Sequence, residues 1–478
     1  MIKTLRLRNF KAFQDTSDIE IKPITILAGP NSGGKSTILQ SLLLLRQTLE
    51  TEAPDIDLNL DGRFLQFSGL NELTFGKPPL PRCKVSYEIG LETHIPTRVI
   101  PDYYPDLEIP SDVESLPLQS DIEFSFRYRE VEEGKSRVIL DRFDMNCRVH
   151  NVPGPRLTIT FSDKDYQVKL KGVNLPEPYQ ERRIKGAGGR HFLPDFLVLE
   201  PDTKEDTEYS PIMQLNPIFW HPLRNLEAEL GDHLRYLGPL REEPQRAYLH
   251  SGSPYPEIGK RGEYAAQMLW LEKDDKVQYL PGLDQEPSKF TLLDAVSNEF
   301  RQLGITEPID VKSEKEIMYQ ILFGLIGSKG KKQVTIADVG FGVSQLLPIV
   351  VMGLRSPETS LLLFEQPEIH LHPKLQANLA DFFLRLAVSG KRLLVETHSD
   401  HFINRLRRRI AEDPTDELKE KVSILFVRPP HDGQGAIIEP LQVNQYGVIE
   451  NWPPDFLPES ADEAEAIFRA GLEKRQGR

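Results

Sequence analysis

Cysteine is almost absent from this 478-residue chain, with Cys83 and Cys147 its only two. That is too few for a disulfide framework or a cysteine zinc site, and both read as packing residues suited to a reducing compartment. No apolar run approaches the roughly 18 residues that a membrane span needs, so no membrane partner is expected. The start, Met-Ile-Lys-Thr-Leu-Arg-Leu-Arg, lacks the apolar core and small-residue cleavage site of a secretory signal, and the expected location is the cytoplasm. Positive charge is also in deficit. The 58 Lys and Arg stand against 72 Asp and Glu, a net charge of −14, whose field repels a nucleic acid backbone unless basic residues gather on one face. Local gatherings occur at Arg182, Arg183 and Lys185, at Lys329, Lys331 and Lys332, and at Arg405, Arg407, Arg408 and Arg409. The last run follows a helix start and reads first as a solvated helix face.

Against these absences stands one complete motif. Gly29-Pro30-Asn31-Ser32-Gly33-Gly34-Lys35-Ser36 matches the phosphate-binding spacing G-x-x-x-x-G-K-[ST] and continues into Thr37. It follows the apolar strand Ile24 to Ala28 and precedes a helix with Ile38, Leu42, Leu45 and Leu49 at helical spacing, the context the motif requires. Glycines let the backbone wrap phosphates closely, and the N–H groups at the positive helix end face their charge. Lys35 is placed to reach the β- and γ-phosphates and Ser36 to ligate Mg²⁺. The chain therefore reads as binding a nucleoside triphosphate.

The pieces of that binding unit lie far apart. Length alone allows roughly two to four compact units. Residues 1–170 read as the first half of a head, with strands over 3–8 and 16–21, the loop and its helix, and then short strands from about 81 to 170 forming an antiparallel lobe. Within it, 93–119 is rich in Pro, Asp and Glu and reads as an exposed excursion. Residues 171–330, with helical segments over 265–272 and 292–303, read as an insertion that binds partners. Residues 331–440 read as the second half of the head, and 441–478 as a short C-terminal module.

In the second half, Ser360 to Phe364 is an almost wholly apolar run, the mark of a buried central strand. It ends at Glu365, where a carboxylate at the strand's C-terminal edge can hold the bridging Mg²⁺. Arg392 to Val395 is a second such strand and brings His398 to the same edge, where it can sense the γ-phosphate. Between the insertion and Glu365, the run Asp338 to Leu354 reads as a glycine turn feeding a helix, with Ser344 at its N-cap and a second anion site there. Two phosphate-binding helix ends at opposite ends of one sheet cannot serve one nucleotide. A head-to-tail dimer sets each Ser344 against the partner's γ-phosphate. Gln66 in an otherwise apolar segment is a candidate for coupling nucleotide to partner, and Arg8 and Lys11 for reaching base or phosphates.

The set formed by Leu5 to Phe13, the phosphate loop, Gly342-Val-Ser-Gln345, Phe364-Glu-Gln-Pro-Glu-Ile-His-Leu-His-Pro373 and Glu396-Thr-His-Ser399 resembles the ABC-type ATPases of the SMC, RecF and OLD group. Tyr236-Leu-Gly-Pro-Leu-Arg-Glu, Gly259-Lys-Arg-Gly-Glu263 and the tail from Tyr446 to Phe456 are similar to a subfamily of bacterial AAA-family ATPases with a short C-terminal domain, often found near anti-phage genes. The resemblance implies an α/β ABC-type head, a parallel core sheet with an antiparallel β lobe and a mixed insertion. It also implies ATP and Mg²⁺ as cofactors and an ATP-dependent homodimer or higher oligomer. The function it implies is a switch controlling a nucleic-acid-directed effector, a nuclease or similar protein encoded nearby, with DNA or RNA a further partner. The alternative is an SMC- or RecF-like DNA-repair or DNA-processing ATPase.

Carried over by position, Lys35 and Ser36 are Walker A, Ser344 the signature serine acting in trans, Glu365 the Walker B acid and His398 the switch histidine. Gln366 departs from the pattern. The family's water-polarising glutamate belongs there, and an amide orients water without accepting its proton. Hydrolysis is therefore expected to be slow, with Glu368 the candidate to serve instead or to bridge the dimer. His370 and His372 fit an interface loop better than a metal site, since no third ligand completes a set. About 80 residues follow His398 with no Asp-x-Asp after an apolar strand, which leaves no room for the Toprim nuclease of OLD proteins. The long insertion argues against a transporter subunit.

Overall fold

The computed structural model describes residues 1–53, 55–104, 107, 109, 112–132, 135–150, 152–161, 166–173, 183–200, 210–249, 257–305, 308–314, 318–324, 333–431 and 433–453. Five strands of one sheet run parallel in the order Leu234–Leu237, Leu361–Glu365, Arg392–Glu396, Ile24–Ala28 and Val422–Arg428, and Ile437–Leu441 closes its edge antiparallel. Every residue of Ile24–Ala28, Leu361–Glu365 and Arg392–Glu396 is buried, as strands covered on both faces must be. Alternate residues serve opposite faces. Leu27, Leu361, Leu363 and Leu394 pack on one side, and Ile24, Ile26, Leu362, Phe364, Leu393 and Val395 on the other.

The first face is covered by the phosphate-loop helix, Lys35–Leu49, and beyond it by an eight-stranded antiparallel sheet. Thirteen of that helix's fifteen residues are buried, which a leucine run over 42–45 permits because both flanks of the helix meet apolar surface. The second face carries the helices Leu292–Leu303, Phe341–Arg355, Pro373–Val388 and Asp400–Glu412. A buried carboxylate ties the layers together. Glu229 accepts the backbone N–H of Ile2, from the antiparallel sheet, and pairs with Arg392 at the start of a core strand.

Two sequence expectations change. The two ends of 93–119 are strand, at 93–96 and 115–119, since Lys84–Pro96 pairs along its full length with Ser115–Glu132, and Thr97–Asp102 between them is a short 3₁₀ helix. Ile95, Leu116 and Leu118 are buried across that pairing, so the alternation of apolar residues outweighs the Pro and acidic content. Positions 105, 106, 108, 110 and 111 of this stretch lie outside the described residues. Second, Leu234–Leu237 falls inside the stretch read as an insertion, yet it is a parallel strand of the core sheet, beside Leu361–Glu365. Four residues between polar breaks carry too little periodicity to mark a core strand.

The basic run at 405–409 is spent internally. Arg405 and Arg409 pair with Asp381, Arg408 with Glu412, and Arg407 donates to the Gly447 carbonyl and lies over Trp452. Arg182, Lys329, Lys331, Lys332 and residues 454–478, most of the expected C-terminal module, lie outside the described residues. Among the described residues no helix is long and apolar enough to cross a membrane.

Candidate active site

Parallel strands deliver their C-terminal ends to one edge, and the site grows from that rule. Glu365 and Glu396 are register partners at the ends of adjacent strands, so their side chains leave the sheet on the same face. The neighbouring strand ends at Ala28 and enters the phosphate loop. Gly29 and Gly34 take the left-handed backbone, φ 140° and 105°, a conformation L side chains resist. A Cβ on Gly29 would lie 2.4 Å from the Val427 carbonyl oxygen, so that glycine also lets the loop lean on the next strand.

Lys35 is buried and donates to the loop's own carbonyls, Gly29 at 3.1 Å and Pro30 at 2.7 Å. Burial lowers its pKa, opposed by the Glu396 and Glu368 carboxylates. Glu396 is 3% exposed. Burial raises its pKa, and hydrogen bonding from Ser36, the Lys35 charge and the Gln366 amide pull it back. Glu365 is pushed up to about 7 by burial and then by Glu396, while Tyr236, whose hydroxyl donates to its Oε1 at 3.1 Å, opposes the rise. Arg241 donates to the carbonyls of Glu365 (3.4 Å) and Gln366 (3.2 Å). Gln366 sits at φ 44° with its N–H on the Glu396 carbonyl, 2.8 Å away.

Glu368 Oε1 accepts the backbone N–H of His398 at 2.6 Å. It therefore straps the turn after Glu365 to the turn after Glu396. Burial raises the Glu368 pKa and lowers that of His398, which the Lys35 charge lowers further, so the imidazole is neutral at pH 7. Among the described residues, the buried polar atoms without a partner include Oε2 of Glu368 and Glu396, Nε2 of His398, and Nε and Nη1 of Arg241. Such groups are costly to bury, and their gathering at one sheet edge marks a place built to receive a polar ligand. A cavity of about 540 Å³ opens beside the loop, lined by Ser32, Gly34, Ser36 and Thr37 on one side and Lys11, Phe67 and Lys77 on the other.

Lys35, Ser36, Glu365, Gln366, Glu368 and His398 thus come together. Gly29, Pro30, Asn31, Ser32, Gly33, Gly34 and Thr37 form the loop and helix start around them. Ser344 does not join them, and its expected capping role is corrected. The helix runs Phe341–Arg355 with Gly340 as N-cap, so Ser344 lies one turn inside it, 6% exposed. The Val343 N–H closes the first turn on the Gly340 carbonyl. Gly342 is needed for packing, because a Cβ there would lie 2.8 Å from the His370 carbonyl oxygen. Gln66 is exposed, and its neighbour Phe67 lines the cavity instead. Lys11 lines it too, over the Phe67 ring and on Gln40. Arg8 is held by Asp15, Glu88 and Glu123. His372 caps the helix Pro373–Val388 through its ring nitrogen, and no cluster of three or more metal-ligating residues occurs among the described residues.

Sequence reasoning quoted Tyr236, Arg241 and Glu396 within motifs but gave them no role at the site. Glu396 carried the same signal as Glu365, a carboxylate at the end of an apolar run, whereas Tyr236 and Arg241 depended on the unrecognised strand Leu234–Leu237.

Residues 1–84 and 273–403 match the family model described as AAA ATPase domain. The matched segments include the phosphate loop, the helix of Ser344, Glu365 to Glu368 and His398. No curated protein matches the chain. Similar solved structures include an SMC head bound to the C-terminal winged-helix domain of ScpA, at 13% identity and a TM-score of 0.43, covering 93% of this chain and 98% of that one. The SMC head domain from Thermotoga maritima is similar at 11% identity and 0.35, covering 92% and 99%. A Pyrococcus furiosus Smc head with an extended coiled coil, bound to the C-terminal domain of ScpA, is similar at 12% identity and 0.41, covering 98% and 99%.

Proposed function

We propose that this chain, an ABC-type P-loop ATPase head of the SMC- and RecF-like group, closes on ATP as a homodimer and acts as a nucleotide-driven switch for an effector that works on nucleic acid. The observation that carries the reading is the single cluster of Lys35, Ser36, Glu365, Gln366, Glu368 and His398 beside an open cavity, with its unpartnered polar atoms. Lys35 rests on the Gly29 and Pro30 carbonyls. A triphosphate offers stronger, charged acceptors, so Lys35 turns to the β- and γ-phosphates and the loop amides close around them.

The donor set fits magnesium: the Ser36 hydroxyl beside the Glu365 carboxylate at the strand end, with the unpartnered Oε2 of Glu396 in register with it and a cavity next to the loop. Ser36 and Glu365 are the residues to hold it. The ion supplies charge neutralisation to the phosphate oxygens. His398, neutral and with Nε2 unpartnered, donates to a γ-phosphate oxygen or accepts from the attacking water, according to its tautomer. Gln366 orients that water without taking its proton, and Glu368 is occupied as the strap to His398. Turnover is accordingly slow, and binding rather than hydrolysis sets the state of the switch.

Closure in trans uses the Gly340 helix end. Gly342 and Val343 are half-buried, so the first-turn amides are the part of that end already near the surface, with Ser344 behind them. The internal pairing of the 405–409 arginines supports a protein effector over direct contact of that run with nucleic acid. An anti-phage setting is the biological context that suits such a switch. A DNA-processing role instead requires direct, salt-dependent DNA binding by the isolated head.

Light scattering with Mg²⁺ and ATP tests the reading. The mass is expected to double on nucleotide addition, and Ser344→Arg to bind ATP with wild-type affinity yet remain monomeric. Saturation with nucleotide at unchanged mass would overturn the dimer.

A further inference from the structure

Glu396 has no counterpart among the roles discussed so far, although it is among the most buried groups at the sheet edge. It is 3% exposed and its Oε2 has no partner. The Ser36 hydroxyl, the Lys35 charge and the Gln366 amide lie in its neighbourhood and oppose the rise that burial gives its pKa. Its register partner across the sheet is Glu365. Two carboxylates are therefore held side by side with a serine hydroxyl at the mouth of a phosphate loop.

We propose that Glu396 is the second carboxylate of the magnesium site, acting with Glu365 and Ser36. The inference rests on the ATP-binding reading. Two carboxylates in register, one of them 3% exposed with an oxygen that lacks a partner, are costly to bury side by side. A divalent cation at that edge would offset the cost. Mg²⁺ takes few protein ligands and keeps several waters, so Glu396 would hold it directly or through one of them. That would explain why a strand already bearing one carboxylate neighbour ends in another at the same level.

Calorimetric titration of ATP into the full chain, in chelator and then across a Mg²⁺ series, tests the assignment with binding rather than turnover as its readout. Glu396→Gln is expected to bind metal-free ATP as tightly as wild type or better, since a negative charge near the phosphates is gone. It is expected to need about tenfold or more Mg²⁺ for half-maximal enhancement. Glu396→Asp keeps the charge but withdraws it by one methylene and should shift the Mg²⁺ requirement by a smaller factor. Mn²⁺ in place of Mg²⁺, followed by electron paramagnetic resonance, should show the same order of affinities. A Mg²⁺ requirement within twofold of wild type in both variants would overturn the metal role. Failure of the wild-type chain to bind ATP would instead overturn the reading on which the inference stands.

Discussion

Two helices in this chain begin after glycines with a serine in the first turn, and the fold treats their ends in opposite ways. At Lys35–Leu49 the N-cap is Gly34 at φ 105°, the loop before it arches, and a cavity of about 540 Å³ opens in front. At Phe341–Arg355 the N-cap is Gly340 in an ordinary extended conformation, and Gly342 is pressed on the His370 carbonyl of the same chain. One end is open and edged with charge. The other is exposed at Gly340 and braced at Gly342 by the turn that follows Glu365. The difference teaches that glycine at a helix start signals either ligand approach or close backbone packing, and that the residue in contact, not the spacing, decides which. That turn carries both messages: Gln366 and Glu368 belong to the open end, and His370 to the braced one.

The strongest test of the contrast is at the open end. Lys35→Ala removes the one side chain able to trade loop carbonyls for phosphates and should abolish measurable ATP binding in calorimetry, along with nucleotide-linked dimerisation. Affinity within a few-fold of wild type would mean that the loop does not hold the triphosphate. Next in size is Gln366→Glu, which supplies a proton acceptor where only a water-orienting amide exists. Turnover should rise by about 10² in a steady-state phosphate-release assay. An unchanged rate would place proton removal elsewhere, with Glu368 the nearest alternative.

At the braced end the expected effect is smaller and has two opposing parts. Gly342→Ala gains about 1 kcal/mol of helix propensity, but its Cβ would lie 2.8 Å from the His370 oxygen. Overpacking against backbone costs about 1–3 kcal/mol, so a net loss of about 1 kcal/mol is expected in denaturant unfolding, with weaker ATP-linked dimerisation as the turn is displaced. A stabilised variant would show that the helix end is not pressed on that turn.

What the sequence revealed follows the same division. The phosphate loop and the strands ending at Glu365 and Glu396 were legible because local chemistry dictates them: a full motif in one case, five-residue apolar runs in the others. Their meeting at one edge follows from parallel pairing. The strand Leu234–Leu237 was not legible, since four residues show no period, and with it went Tyr236 and Arg241, which fix Glu365 and Gln366 from the side. Ser344 was misplaced at the cap because the Gly-x-Gly pattern offers two starts, and only the contact with His370 selects Gly340. The strand ends at 93–96 and 115–119 were hidden by prolines that strand ends tolerate.

The smallest predicted effect probes the cost of keeping two carboxylates ready at the open end. The Glu365 carboxyl is raised from 4.5 to about 7 by burial and by Glu396. As pH falls, the folded chain therefore takes up this proton before the unfolded chain does. This group favours the folded state least above pH 7 and most below the unfolded value of 4.5. Glu365→Gln keeps the shape and an acceptor for the Tyr236 hydroxyl while removing the charge. Without nucleotide it should stabilise the chain by about 1–3 kcal/mol at pH 8, read as a higher melting temperature. The gain should shrink through the window from 7 to 4.5 and vanish below it. With ATP and Mg²⁺ the order should reverse, since the neutral amide is a poorer partner for the cation. A variant that melts below wild type at pH 8 without nucleotide would show that the carboxylate is welcome there even when the site is empty, and that the open end is less strained than its buried charges imply.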